Sequence, residues 1–245
     1  MIHDIWTVAR KEWLEIIEQL LRFKRGGWSV LVIIFFLGVL SPLQMGPSWL
    51  SSPLMFFYWP LLTSSMTSTL VADSVAGERE RHTLETLLAS RLSDTAILLG
   101  KILAAVMYGY AFALVNLLIG WSVVNLRHYE GMLLGFTPLR LAALLSLIGA
   151  GALFISGVGV FVSLRAATVR QAQQTFGVIM LVLLMLPAVL FQVTSAELQQ
   201  RVLGGVTAMG VEGLAFRATA ILGAIAVVLN AAAIRRFKRG KLALE

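Results

Sequence analysis

Long apolar stretches alternate with short polar ones along most of the chain. There is no charged residue from Gly26 to Ala72, and there is again none from Ile102 to Leu126. Apolar runs of this length predict membrane-spanning helices, because a helix of about 20 apolar residues crosses the hydrocarbon core. We predict six such spans. Their boundaries are 28–45, 54–72, 102–125, 141–164, 175–193 and 214–234.

Two further segments have a mixed pattern and flank the spans. Residues 2–25 alternate apolar and polar positions with a helical period, and Trp6 and Trp13 suit the headgroup region. We therefore expect an amphipathic helix that lies on the membrane surface, although a surface helix that binds a soluble partner fits the same pattern. Residues 194–213 are polar and too long for a turn, so we expect a short re-entrant or surface helix outside the membrane.

Composition and charge fix the class and the orientation. Of the 245 residues, 58% are hydrophobic and 13% are charged, which is outside the range of soluble domains. The prediction is one all-α integral membrane domain, 1–245. The net charge is +7, and the Lys and Arg residues that produce it lie beside the spans, which does not favour a groove for nucleic acid. With both termini in the cytoplasm, 16 of the 20 Lys and Arg residues lie inside, as multi-pass proteins of the cytoplasmic membrane prefer.

The residue types needed for catalysis do not occur together in this chain. There are no cysteines, no histidine lies in a predicted span, and no HExxH sequence is present. No Gly-rich loop ending in GK[ST] occurs either, so we expect no ATP hydrolysis by this chain. The expectation is a protein with no catalytic residues, no metal and no cofactor of its own.

The longest polar interruption in the first half of the chain is Asp73–Lys101, which the charge pattern places in the cytoplasm. Several charges make its placement in hydrocarbon too costly. Read as a helix, it gathers leucines on one face and acidic residues on another. We interpret it as a docking segment for a cytoplasmic partner. The leucines of that face are Leu84, Leu87, Leu88 and Leu92.

The second half of the second span is rich in hydroxyl side chains. They allow close helix packing, with each hydroxyl bonded to its own helix, or they form a polar stripe on a translocation path. Both interpretations stay open from the residues alone. Span 4 carries small residues four positions apart, such as Gly159 and Ser163, which favour close packing. The hydroxyl residues concerned are Thr63, Ser64, Thr67 and Ser68.

The segment from Ala72 reads ADSVAGERER, followed by TLETLLA from Thr83 and by Gly100-Lys101. This resembles the cytoplasmic loop of ABC exporter permeases of the second type, whose pattern is close to AGERERGTLE-x-LLATPVS…GK directly after span 2. His82 stands where that family usually has glycine, and Arg91 where it usually has proline. The strong match covers about thirty residues, and the six-span layout agrees over the rest.

The resemblance implies a half-transporter. Two permeases, identical or homologous, would each bind a cytoplasmic ATPase that carries ATP and Mg²⁺, and a coupling helix over Glu78–Leu88 would sit in a groove of the ATPase. The implied contact residues are Gly77, Glu78, Arg79, Glu80, Arg81, Thr83, Leu84, Glu85, Leu87 and Leu88. Spans 2 and 5 usually line the path in that family. The implied lining residues are Thr63, Ser64, Thr67, Ser68 and Gln192.

The spans contain no charge that suits a proton relay, which favours an apolar or amphipathic substrate such as a drug, a peptide or a lipid-like molecule. A permease for haem or for a lipid-linked polymer is the alternative within the exporter class. A membrane scaffold or immunity protein that does not transport is the alternative outside it. The direction of transport, export, comes from the resemblance alone.

Overall fold

The computed structural model describes residues 1–21, 27–83 and 91–237, and every regular element in them is helical. The first span is built from three consecutive pieces, one of which is π-helical. The elements are α1 (Ile2–Leu21), α2 (Gly27–Ile33), a π-helix (Ile34–Leu40), α3 (Ser41–Met45), α4 (Ser48–Ser51), α5 (Met55–Glu80), α6 (Asp94–Arg127), α7 (Pro138–Arg165), α8 (Val169–Val193) and α9 (Ala196–Arg236).

Three of the described helices are long and apolar enough to cross a membrane. They are α6, α7 and the part of α9 over Ala208–Arg236, and they contain the third, fourth and sixth predicted spans. A shorter apolar helix, Val30–Met45, lies at the first predicted span. The helices extend beyond the predicted spans at several ends. α6, for example, begins at Asp94, where the Ser93 side chain accepts a hydrogen bond from the Ala96 N–H as a helix N-cap.

Helix α5 lies at the centre of the bundle and contacts α6, α7 and α8, while α9 packs on α7 and α1 packs along α6. Small residues make the closest contacts. A Cβ built on Gly159 would lie 2.8 Å from Cγ1 of Val71, so α7 and α5 touch there. One turn further on, the Ser163 hydroxyl donates to the Ala72 carbonyl and accepts from the backbone of α5. The predicted close packing at these two positions is confirmed.

Two of the apolar cores in the described part of the chain lie at opposite ends of α5. The outer core surrounds Met55 and Trp59 and includes Trp49, Leu144 and Ile148, all fully buried. The inner core surrounds Val71 and Val75 of the same helix. It also contains Ile97, Leu98 and Val160. Dense packing of this kind holds membrane helices together through van der Waals contacts. The hydrophobic effect contributes little between such helices, because the lipid chains are as apolar as the side chains.

The outer segment 194–213 is largely helical, and it joins the last span through a break at Gly210. That residue has φ 70° and ψ 163°, a conformation that glycine adopts without a steric penalty. An ion pair lies two residues after this break. Arg140 at the start of α7 donates from Nε to Oε1 of Glu212 at 2.8 Å, its Nη2 lies 2.7 Å from the same oxygen, and its Nη1 donates to the carbonyl of Leu50. One arginine thus joins α4, the start of α7 and the segment that follows Gly210.

The structure differs from the prediction of a continuous helix over residues 78–88. α5 runs on to Glu80 and then ends in a Schellman motif. The Thr83 N–H donates to the Glu78 carbonyl and the His82 N–H to the Arg79 carbonyl. His82 is left-handed, with φ 56°, which interrupts a right-handed helix. Residues 84–90, including Leu84, Glu85, Leu87 and Leu88, lie outside the described residues.

Candidate functional site: a polar cluster at the base of the Asp73–Lys101 loop

A buried lysine joins three segments of the chain at one end of the bundle. Lys101 Nζ lies 2.7 Å from Oε1 of Glu12 on α1 and 3.0 Å from Oε1 of Glu78 at the end of α5. Lys101 is 6% exposed and Glu78 is 7% exposed. A buried charge is tolerated only when it is paired, so these two carboxylates account for the position of the lysine.

The two residues after Glu78 bind the turn between α7 and α8. Arg79 Nη1 donates to the Ala166 carbonyl at 2.8 Å, and Nη2 reaches the Leu164 carbonyl at 3.4 Å. Glu80 Oε2 accepts from the Val169 N–H at 2.9 Å. The cation therefore sits at the C-terminus of α7 and the anion at the N-terminus of α8, which is the favourable arrangement for both helix dipoles.

The last charge of the run, Arg81, folds back on its own helix. Its guanidinium lies 3.2 Å from each oxygen of Asp73, two turns earlier on α5. Gly77 lies between them, and a methyl group there would collide with the Asp73 carboxylate. We call these residues together the inner polar cluster. Its members are Glu12, Asp73, Glu78, Arg79, Glu80, Arg81 and Lys101.

The contact between α1 and α6 explains why glycine precedes Lys101. A Cβ built on Gly100 would lie 2.5 Å from Cβ of Val8 and 3.0 Å from the carbonyl of Ile5. Only a residue without a side chain lets the α1 backbone approach this closely. That approach carries Glu12, one turn beyond Val8, to the ammonium group of Lys101.

The environment of Glu78 keeps its carboxylate ionised. Burial acts to raise the pKa, but the Lys101 charge and the hydrogen bond donated by the Thr83 hydroxyl outweigh it, and the pKa lies below its ordinary value of 4.5. A polar cleft of about 500 Å³ opens beside this carboxylate, between α1 and the loop. It is lined by Lys11, Glu15, Glu18, Asp73, Glu78, Arg81 and Thr83.

Comparisons with known proteins agree with the loop pattern. Residues 50–203, well over half of the chain, match the family described as ABC-2 family transporter protein. The chain belongs to this ABC-2 family. A stretch of 121 residues is also 31% identical to the ABC transporter permease protein NatB of Bacillus subtilis (strain 168). That match covers 46% of this chain and 31% of the relative, so the chain spans about a third of the length of the curated relative it matches.

In this ABC-2 family member the structure brings the first half of the predicted contact residues together. Gly77 and Glu78–Arg81 all belong to the inner polar cluster or its immediate packing, and Thr83 caps the end of α5 through Glu78. Their polar side chains bind other segments of the same chain. These intramolecular contacts do not show a contact with an ATPase, which therefore stays a prediction.

The residues predicted to line a path fall into two groups. Thr63 and Thr67 are fully buried, and a methyl group at Gly109 of α6 would collide with the Thr67 hydroxyl. Ser64 and Ser68 are buried as well. Gln192, near the end of α8, is exposed. The four hydroxyls therefore occupy helix contacts in this conformation, and Gln192 does not share a surface with them.

Sequence reasoning missed the partners of the ERER run. The sequence pattern does not single out Glu12, and Lys101 stands out in it only as the end of the loop motif. One signal was available, because a lysine directly before an apolar span must find an anion if it is buried. Ser163 was recognised as a small residue, but its hydrogen bonds to the α5 backbone need the three-dimensional register.

Proposed function

We propose that this chain is the permease subunit of an ATP-driven exporter that moves an apolar or amphipathic substrate out of the cytoplasm. Two permeases would work with two cytoplasmic ATPase subunits, one bound at each Asp73–Lys101 loop. Membership of the ABC-2 family and the similarity to a protein named as an ABC transporter permease support this proposal. The missing phosphate-binding motif also favours an energy source on another chain.

The proposed topology has six spans, an N-terminal interfacial helix and both termini in the cytoplasm. Contacts at the two ends of the bundle support it. The inner polar cluster joins α1, the end of α5, the start of α6 and the α7–α8 turn, all of which the charge pattern assigns to the cytoplasm. The Arg140 contacts join three segments that the same pattern assigns to the outside.

The observation that carries the proposal is the position of the inner polar cluster at the base of the loop. Glu78, Arg79 and Glu80 each bind a different helix or turn. A displacement of the loop by an ATPase would therefore reach α1, α6, α7 and α8 together. We assign ATPase docking to Leu84, Leu87, Leu88 and Glu85, and transmission to Glu78–Arg81.

Transport would require the helices around α5 to separate. Thr63 and Thr67 contact α6 through Gly109, and their hydroxyl oxygens have no hydrogen-bond partner in the described part of the chain. Unpaired buried hydroxyls cost free energy, which a polar group of a passing substrate or water could recover. This favours a path along α5 that opens when α5 and α6 move apart.

The docking half of the proposal is tested by purification in mild detergent followed by mass spectrometric identification of bound proteins. We expect an ATPase with nucleotide-binding motifs to purify with the wild-type chain and to be lost from Leu88→Glu. Leu133→Glu is the matched control, because Leu133 is exposed on the opposite side of the membrane in the proposed topology. If no ATPase purifies with the wild type, the exporter proposal fails.

Transmission is tested separately with Arg79→Gln and Glu80→Gln. Both variants should still bind the ATPase, since the docking leucines are intact, but substrate export and its coupling to ATP hydrolysis should fall together. Arg170→Gln, an exposed arginine of the same turn, serves as the control. Export that survives loss of ATP hydrolysis in the partner would instead favour the scaffold function.

A further inference from the structure

A cleft at the cytoplasmic end of α7, α8 and α9 has no part in the proposed coupling. Its volume is about 440 Å³, within the range of small-molecule sites. Helix α7 contributes Val158, Phe161 and Arg165, and α8 contributes Thr175 and Ile179. Leu229 of α9 completes the wall. We call it the inner cleft.

Polarity changes with depth in the inner cleft. Val158 precedes Arg165 by seven residues, and Leu229 precedes Arg236 at the end of α9 by seven, so each apolar residue lies about 10 Å from the charged end of its helix. Ile179 lies ten residues, or about 15 Å, from the start of α8. The cleft therefore has an apolar interior toward the membrane and a cationic, hydrogen-bonding entrance at the cytoplasmic surface.

Arg165 at the entrance is available to a ligand. The C-terminal carbonyl groups that an arginine in the last turn of α7 could cap are already bound by Arg79, at Leu164 and Ala166. No acceptor for the Arg165 guanidinium occurs among the residues that the structure describes, and its side chain is exposed. An arginine fork of this kind binds phosphate oxygens well.

We propose that the inner cleft binds an anionic phospholipid of the cytoplasmic leaflet. The phosphate would accept hydrogen bonds from Arg165, and an acyl chain would lie between Phe161, Ile179 and Leu229. Charge complementarity and the gradient of polarity both favour this ligand, since basic pockets between membrane helices on the cytoplasmic side select anionic head groups. The site is independent of transport and of the ATPase.

The experiment is native mass spectrometry of the purified protein in a non-ionic detergent, titrated with dioleoyl phosphatidylglycerol or dioleoyl phosphatidylcholine. We expect the wild type to retain phosphatidylglycerol preferentially. Arg165→Gln should weaken that binding about tenfold, the loss expected for one charged hydrogen-bond contact. Arg170→Gln, which removes an arginine outside the cleft, should leave it unchanged. Arg165→Lys, which keeps the charge, should restore most of the preference.

Two further arms separate the lipid from other ligands. Leu229→Trp fills the apolar part and should lower occupancy by phosphatidylglycerol. Glycerol 1-phosphate, which has the head-group chemistry without acyl chains, should not displace the lipid. Equal retention of the two lipids, equal losses in Arg165→Gln and Arg170→Gln, or full displacement by glycerol 1-phosphate would each overturn the proposal.

Discussion

The outer end of α5 packs Met55 and Trp59 into a core of large apolar side chains, whereas its inner end binds its neighbours through three charged residues, Glu78, Arg79 and Glu80. Apolar packing depends on volume and tolerates small rearrangements, so it does not fix the orientation of a helix uniquely. Paired charges are directional, and breaking one leaves a buried ion. One end of α5 can therefore adapt to small rearrangements. At the other end, the loss of a single charged contact is costly.

The largest effect expected from this comparison comes from Lys101→Met. The substitution removes the buried cation that lies between Glu12 and Glu78, and we expect a loss of about 3–5 kcal/mol in the free energy of unfolding. The measurement is thermal unfolding in detergent. Arg201→Gln, which breaks an exposed pair with Glu197, should change stability by less than about 0.5 kcal/mol. Equal effects of the two variants would contradict the role of Lys101.

At the outer end, Trp59→Ala should cost about 3 kcal/mol, the lower part of the range for a buried aromatic residue. The reason is that a cavity forms, while the transfer of the ring out of water contributes little in a membrane. Trp59→Phe should retain most of the stability. The comparison would fail if Trp59→Ala exceeded Lys101→Met in the same unfolding measurement.

Acid should weaken the inner end selectively. The pKa of Glu78 is lowered in the folded protein, so its contribution to stability is complete above pH 4.5 and is lost as the pH falls through the folded value. We expect the difference in stability between the wild type and Glu78→Gln to be constant from pH 7 to about pH 5 and to shrink below pH 4.5. A difference that stays constant down to pH 3 would show that Glu78 does not ionise in the cluster.

The smallest expected effect is an increase in stability, at His82. His82 is left-handed at the end of α5, and a non-glycine residue there costs about 1 kcal/mol. His82→Gly should therefore raise the midpoint of thermal unfolding, whereas His82→Ala should not. If both variants raised it equally, the cause would lie in the imidazole and not in the backbone.

Sequence reasoning predicted the helical class, the existence of apolar spans and the family, because these depend on hydropathy and on one local motif. It also predicted that Gly159 and Ser163 pack closely. It did not predict where α5 ends, since the left-handed His82 occupies a position where glycine is usual and the ERER run has helical character. It did not predict the intramolecular contacts of that run at Lys101, Ala166 and Val169, because these residues are more than twenty positions away in sequence.

The contact of Val8 with Gly100 also has a consequence for biogenesis. Glu12 is synthesised 89 residues before Lys101, so α1 leaves the ribosome well before its binding surface exists. At about 5–20 residues per second, roughly 4–18 s pass before the lysine follows. In the proposed topology the first two spans insert during that interval, before α1 can bind α6. Helix α1 can therefore bind α6 only late in synthesis. In a chain truncated before residue 101, α1 would lack the lysine that binds Glu12.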